Sequence, residues 1–296
     1  MEKRAADNHE AICNGEPVEA FDGKKISFIR GEYLLRDDNR LLNCTDKYRR
    51  VKEYLSELYA IHPEVKYRFS DLDSGEMIIA GFPDCCYEKN TVTGNRGHRN
   101  KNFLANHYKL EFELLKNISD SLSLPKLKLI VPFISKLQEL YDIRDGFDIK
   151  SDKITFIPMI ETPSLLDEIL STESLEFDEV VVGLNDLTSL YYGMTREKNL
   201  INVNDFLYQS LLKLIDKKLI VTLAGNINSE TIHNADENFP LAMHLWNGWN
   251  DNQAKERVMK IKELALKLKH DYFKRKVVEN ENFRIYTIYE KNNINK

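Results

Sequence analysis

Nearly continuous apolar runs, separated by amphipathic stretches of helical length, constrain this chain more than any other feature. The runs are ISFIR (26–30), VKYRF (65–69), LKLIVPF (127–133), KITFIPMI (153–160), DEVVVGLN (178–185), KLIVTLAG (218–225) and PLAMHLW (240–246). A strand that alternates apolar and polar residues has one wet face, whereas a continuous run asks for cover on both faces, as in a parallel sheet flanked by helices. The intervening stretches DKYRRVKEYLSELYA, HYKLEFELLKNIS, PSLLDEIL and NDFLYQSLLKLIDKK carry the helical period. Thr162 and Pro163 suit the N-cap and first turn of the third. Strand and helix in alternation predict an α/β fold. The segment TVTGNRGHR (91–99) stands where an eighth strand would fit. Eight strands over about 250 residues match a closed (β/α)₈ TIM barrel, with an open doubly wound sheet as the alternative. The expected layout is an N-terminal segment 1–25, a barrel 26–270 and a C-terminal extension 271–296, in which FRIYTIYE alternates like a half-buried extra strand.

Composition narrows the ligand. A formal net charge of −5 gives no basic footprint for nucleic acid or an anionic membrane, so a small anion would have to be held by local arginines. Cys13, Cys44, Cys85 and Cys86 lack the paired spacing of a zinc site and are expected to be reduced thiols. The first residues have no apolar stretch of a signal peptide and no later run has the length of a membrane span, so a cytoplasmic protein is expected.

The polar residues just past each apolar run carry the functional signal. Arg30 and Glu32 lie at the end of the first, and Arg68, Ser70 and Asp71 at the end of the second; Arg96 lies in the candidate third strand. Glu161 and Thr162 come after KITFIPMI, while Asn185 and Asp186 come after DEVVVG, with Arg196 downstream. In a barrel these ends converge on one face. A single strand-end arginine is commonly an ion-pairing residue, Asn185-Asp186 could be a turn or cap, and His98 fits a loop; the convergence is what carries weight. Arginine forks pair with phosphate or carboxylate, so several of them call for a multiply charged anion. Two carboxylates beside that anion, Glu161 and Asp186, call for a divalent cation, and Mg²⁺ accepts one or two protein carboxylates together with water and ligand oxygens.

These segments resemble the phosphoenolpyruvate-binding barrel of the PEP-utilising enzymes, a family that includes phosphoenolpyruvate synthase, pyruvate phosphate dikinase and enzyme I of the sugar phosphotransferase system. FIRGEYLL is similar to the family's arginine-x-glutamate-aromatic segment, and YRFSDLDSGE to the synthase segment. NTVTGNRGHR is similar to its Asn-Pro-x-x-Gly-x-Arg-Gly stretch, with Thr91 in place of the proline. LIVPFIS, MIETPS and VGLNDLTSLYYGMTR come next, in the family's order. The resemblance implies that Arg30, Arg68, Arg96 and Arg196 hold the phosphate and carboxylate of phosphoenolpyruvate. It also implies that Glu161 and Asp186 bind Mg²⁺, that Asn185 contacts phosphate, and that the protein is a homodimer.

Two departures shape the expected function. None of the seven histidines sits in the family's phosphohistidine motif, so a phosphoryl group would come from or go to a separate phosphohistidine or ATP-binding protein. The seventh strand of the family ends in a cysteine, followed by glycine and glutamine or glutamate, and that cysteine handles a proton on the methylene carbon; the aligned residues here are Ala224, Gly225 and Asn226. A positioned acid contributes about 10²- to 10⁴-fold, so carbon protonation should suffer while phosphoryl transfer need not. The expectation is a Mg²⁺-dependent phosphotransferase subunit whose acceptor need not be pyruvate. The alternatives are a Mg²⁺-dependent lyase or aldolase working through a pyruvate enolate, and a non-catalytic phosphoenolpyruvate-binding regulator.

Overall fold

The computed structural model describes residues 9–23, 25–36, 38–83, 85–88, 90, 94–147, 149, 152–193, 205–224, 230–233, 241–244 and 270–271. Its centre is a closed barrel. Strands β1 (His9–Cys13), β2 (Lys25–Arg30), β3 (Lys66–Arg68), β4 (Leu127–Val131), β5 (Ile154–Ile160), β6 (Glu179–Gly183) and β7 (Ile220–Ala224) succeed one another around it, then β9 (Leu241–His244) and β8 (Glu230–His233). Neighbours are parallel from β1 through β7 to β9. Strand β8 is antiparallel to both β9 and β1 and completes the closure between them.

All seven apolar runs contribute a strand, but the eighth parallel strand is not the one expected. It is HEAIC, at His9–Cys13, inside the stretch placed before the barrel. Its first two residues are polar, so it lacks the unbroken apolar signal of its neighbours. The segment expected to supply it is not a strand where it is described: Gly97–Arg99 is one 3₁₀ turn, with Gly97 in the left-handed region at φ 48°. A glycine tolerates that conformation, and it bends the chain where a strand would have to run straight. Strand β8 has no counterpart in the expected layout, and the C-terminal extension with FRIYTIYE lies outside the described residues.

The four stretches with the helical period each form a helix, and among the described residues five further helices join them. Helix α1 (Gly31–Arg36) directly succeeds β2, and α2 (Thr45–Ile61) buries Val51, Leu55, Leu58 and Tyr59 along one stripe. Helix α3 (Ser74–Ile79) starts with a capping box between Asp73 and Glu76. Helix α4 (Lys101–Phe103) passes through a π-helical turn (Leu104–Tyr108) into α5 (Lys109–Leu122). Helices α6 (Leu137–Gly146), α7 (Pro163–Ser171), α8 (Leu184–Tyr192) and α9 (Asp205–Asp216) complete the described set. Thr162 caps α7 as expected, its hydroxyl accepting from the Leu165 amide at 3.3 Å. Among the described residues no helix is long and apolar enough to cross a membrane, and all four cysteines are free thiols.

Two apolar cores result from the period of two along each strand. The larger fills the space between sheet and helices. The smaller lies within the barrel and consists of Phe28, Ile130, Ile157, Met159, Val181 and Ala224. Stepping two residues onward from Phe28, Met159 and Val181 reaches Arg30, Glu161 and Gly183 on the same inward face at the C-terminal end of the barrel. At the opposite end Glu179 pairs with Lys66 and, at 2.9 Å, with Lys128, tying β3, β4 and β6 together beneath the core.

Candidate active site

Charged side chains that an isolated strand would leave in water are buried above this inner core. Glu32, in the first turn of α1, receives Arg30 Nε at 3.1 Å and a close contact from Arg68 at the end of β3. Burial alone would raise the Glu32 carboxyl, but Arg68 and Arg30 outweigh it and hold it below the usual carboxylate range. Arg30 is partly exposed and stacks its guanidinium 4.3 Å above the Tyr33 ring. Arg96 makes a bidentate pair with Asp71, through Nε at 2.9 Å and Nη2 at 2.6 Å. Its guanidinium carbon lies 4.2 Å from the centre of the Phe133 ring. Burial opposes the charge on Arg68 and Arg96, yet the facing carboxylates raise both pKa values further.

Glu161 and Asp186 form the other half. Both are 2 % exposed. The Phe133 amide donates to Glu161 Oε2 at 3.0 Å. Gly183 has to be glycine here, because a Cβ would stand 2.5 Å from Glu161 Cγ. Burial, then repulsion from Asp186 and Asp71, pushes the Glu161 carboxyl up to about 8 against the pull of Arg68 and Arg96. A carboxylate crowded by its own neighbours in this way is relieved by a proton or by a cation. Among the described residues no cluster of three or more histidine, cysteine or acidic side chains could encage a metal. A pair of carboxylates beside several arginines nevertheless fits Mg²⁺, which keeps water and ligand oxygens in its remaining positions.

The structure thus brings together Arg30, Arg68, Arg96, Glu161 and Asp186, with Glu32 and Asp71 as their charge partners. The arginines are more committed than the sequence implies, since each already faces a carboxylate. Among the described residues Arg68 Nε is buried with no hydrogen-bond partner, as is Glu32 Oε2. Arginine carries five N–H donors in a fork, so a carboxylate pair does not exhaust it. Ser70 does not face the charged ring; its amide, at 3.2 Å, and its hydroxyl both donate to buried Glu111. His98 is tied to Glu139 at 3.1 Å. Asn185 sits on the first turn of α8 beside Asp186 and is partly exposed.

Ala224 ends β7 and belongs to the inner core, 7 % exposed. The register sets it between Gly183 of β6 and His244 of β9. It therefore stands at the level of the site with no titratable atom of its own. Arg196, Gly225 and Asn226 lie outside the described residues.

Three contributors escaped the sequence. Phe133 reads as a core residue in an apolar run. Glu111 reads as the polar face of a helix, yet burial pushes it up to about 7 while Ser70 and Tyr67, the latter at 2.8 Å, donate to it. Arg99, whose guanidinium lies 5.0 Å from the Phe133 ring, sits in a 3₁₀ turn three residues past Arg96. No local pattern distinguishes these three, because each owes its role to contacts between distant segments.

The family described as PEP-utilising enzyme, PEP-binding domain, matches residues 8–230. The chain belongs to this family. The match begins before β1, in agreement with the place of that strand in the barrel. Phosphoenolpyruvate synthase of Neisseria meningitidis is 28 % identical over 147 residues, covering 46 % of this chain and 18 % of the relative. That of Deinococcus radiodurans is 30 % identical over 145 residues, with 45 % and 18 % covered. The probable phosphoenolpyruvate synthase of Archaeoglobus fulgidus is 26 % identical over 190 residues, with 62 % and 24 % covered. The aligned part of the chain thus corresponds to a quarter or less of these relatives.

Proposed function

We propose that this chain is a Mg²⁺-dependent phosphotransferase subunit of the PEP-utilising family. It binds phosphoenolpyruvate or a similar small phosphorylated acid and exchanges the phosphoryl group with a histidine on a separate carrier protein. The observation that carries this reading is the charged ring itself: Arg30, Arg68 and Arg96 on one side, Glu161 and Asp186 on the other, with Arg68 Nε lacking an acceptor among the described residues. Such a site costs stability to bury, and a multiply charged anion with a divalent cation satisfies it.

Glu161 and Asp186 would hold the cation. Once bound, it draws charge from the phosphoryl oxygens and offsets the two carboxylates. The arginines orient the anion and keep its carboxylate and phosphate apart, which is most of what phosphoryl transfer asks of a protein. In that transfer the P–O bond to the acid breaks as a P–N bond to the carrier imidazole forms. With phosphoenolpyruvate the leaving group is the enolate of pyruvate, and it must gain its proton on carbon with no help from residue 224. For that reason the acceptor or donor acid need not be pyruvate.

Ala224, set among apolar side chains, also favours a second reading, in which an enolate is captured by a carbon electrophile as in a lyase or aldolase. Calorimetry with phosphoenolpyruvate, with and without Mg²⁺, tests the shared ligand. Incubation with a phosphorylated carrier then separates the readings. Label appearing on a small acid supports the phosphotransferase, pyruvate released from hydroxy-oxo acids supports the lyase, and tight binding without turnover points to a regulator.

A further inference from the structure

Phe133 holds a conformation that its side chain argues against. It lies two residues past β4 with φ at 58°, in the left-handed region, and is 1 % exposed. Glycine takes that region without strain and asparagine with little, whereas a bulky residue is a genuine outlier there. Strained backbone of this kind persists where the surroundings impose it, and it clusters at sites that use the geometry.

Two contacts account for the position. The left-handed turn presents the Phe133 amide to Glu161 Oε2 at 3.0 Å. The same residue places its ring under two guanidinium groups, Arg96 at 4.2 Å and Arg99 at 5.0 Å. The ring face carries partial negative charge and draws cations to it without neutralising them. This matters for an anion site. An aromatic face orients the guanidinium plane and adds no opposing charge of its own to the one Arg96 already meets in Asp71. Arg99 donates to the Ser135 hydroxyl, and its guanidinium pKa is lowered by burial, with Arg96 contributing in the same direction. A glycine or asparagine would supply the amide alone.

We propose that Phe133 is a positioning residue that couples the two halves of the site, its ring setting Arg96 and Arg99 for the anion and its amide fixing Glu161. The identity of the anion rests on the function proposed above. The orienting role does not, because it applies to any phosphate-bearing ligand.

The test compares Phe133→Tyr, Phe133→Leu and Phe133→Gly with the wild-type chain in three titrations by calorimetry: Mg²⁺ alone, phosphoenolpyruvate at saturating Mg²⁺, and inorganic phosphate at saturating Mg²⁺. Tyrosine keeps the ring and should bind all three within about twofold of wild type. Leucine and glycine lose the ring and should bind both anions about tenfold more weakly, the scale of a desolvated cation–π contact. In the glycine variant, which keeps the amide and relieves the backbone, the affinity for Mg²⁺ alone should stay within about twofold. Unchanged anion affinity in the leucine and glycine variants would overturn the proposal. So would a tyrosine variant as weak as leucine, or equal losses of cation and anion in glycine, or failure of both to fold, each of which makes Phe133 an ordinary core residue. If wild type binds phosphate but not phosphoenolpyruvate, phosphoenolpyruvate is excluded as the ligand of the proposed function and the phosphate series decides this inference; if it binds neither, both fail.

Discussion

Cation binding should depend steeply on pH, and the structure sets where. The Glu161 carboxyl is raised to about 8 by burial and by Asp186 and Asp71, so near neutrality its proton must leave before a cation can enter. The expected affinity scales with the ionised fraction. That fraction is about one half at pH 8, about a tenth at pH 7 and about a hundredth at pH 6, since each unit below the pKa is a factor of ten. Mg²⁺ should therefore bind about 100-fold more weakly at pH 6 than at pH 9, levelling off above pH 8. Stability without the cation has the matching sign. A carboxyl whose folded pKa is raised binds more protons folded than unfolded, so its contribution is present below the ordinary carboxylate pKa and is lost as pH rises through about 8. Mg²⁺ should restore the melting temperature most at the alkaline end. Asp186→Asn removes its share of the repulsion and leaves burial and Asp71, so the midpoint of the pH profile should move down in part even as the plateau affinity falls with the lost carboxylate. Calorimetric titration from pH 6 to pH 9, with thermal melts beside it, measures both effects. A wild-type affinity that is flat across this range would refute the reasoning, because Glu161 would then be ionised throughout and the crowding of carboxylates would have no energetic consequence.

The remaining expectations concern single side chains. Gly183→Ala puts a methyl 2.5 Å from Glu161 Cγ, so overpacking should cost about 1–3 kcal/mol in urea denaturation and Mg²⁺ affinity should fall as Glu161 is displaced. Asp71→Ala leaves Arg96 buried without its bidentate partner and should cost about 3–5 kcal/mol; a loss under about 1 kcal/mol would mean the pair is solvated in practice. Ala224→Cys should introduce exchange of pyruvate methyl protons with solvent, at least about 100-fold above wild type and seen as loss of the methyl signal in heavy water. If no exchange appears, the site differs from the family's in more than this side chain.

The apolar runs and helical periods carry most of the barrel, because burial on both faces leaves a mark in every residue of a central strand. Strand β1 leaves no such mark, since HEAIC mixes polar and apolar residues, and the 94–99 stretch has the position of a strand although its glycine at 97 bends it into a turn. The site is legible as a set of residue types. Arg30, Arg68, Arg96, Glu161 and Asp186 stand out because each lies past an apolar run or fits an ordered motif, and strand ends meet in a barrel.

What the sequence could not reveal was how those charges divide among themselves. That Glu32 takes both Arg30 and Arg68, that Asp71 takes Arg96, and that Ser70 turns away to Glu111 depends on segments up to 41 residues apart meeting at hydrogen-bond distance. The left-handed turn at Phe133 is of the same kind, since nothing in a phenylalanine announces a positive φ. By itself the sequence singled out Arg30, Arg68, Arg96, Glu161 and Asp186 near the strand ends and showed that residue 224 carries no charge. Only the tertiary structure decided which of them pair with one another, because charge pairing is settled by distance in space and by burial, and neither is a property of a residue taken alone.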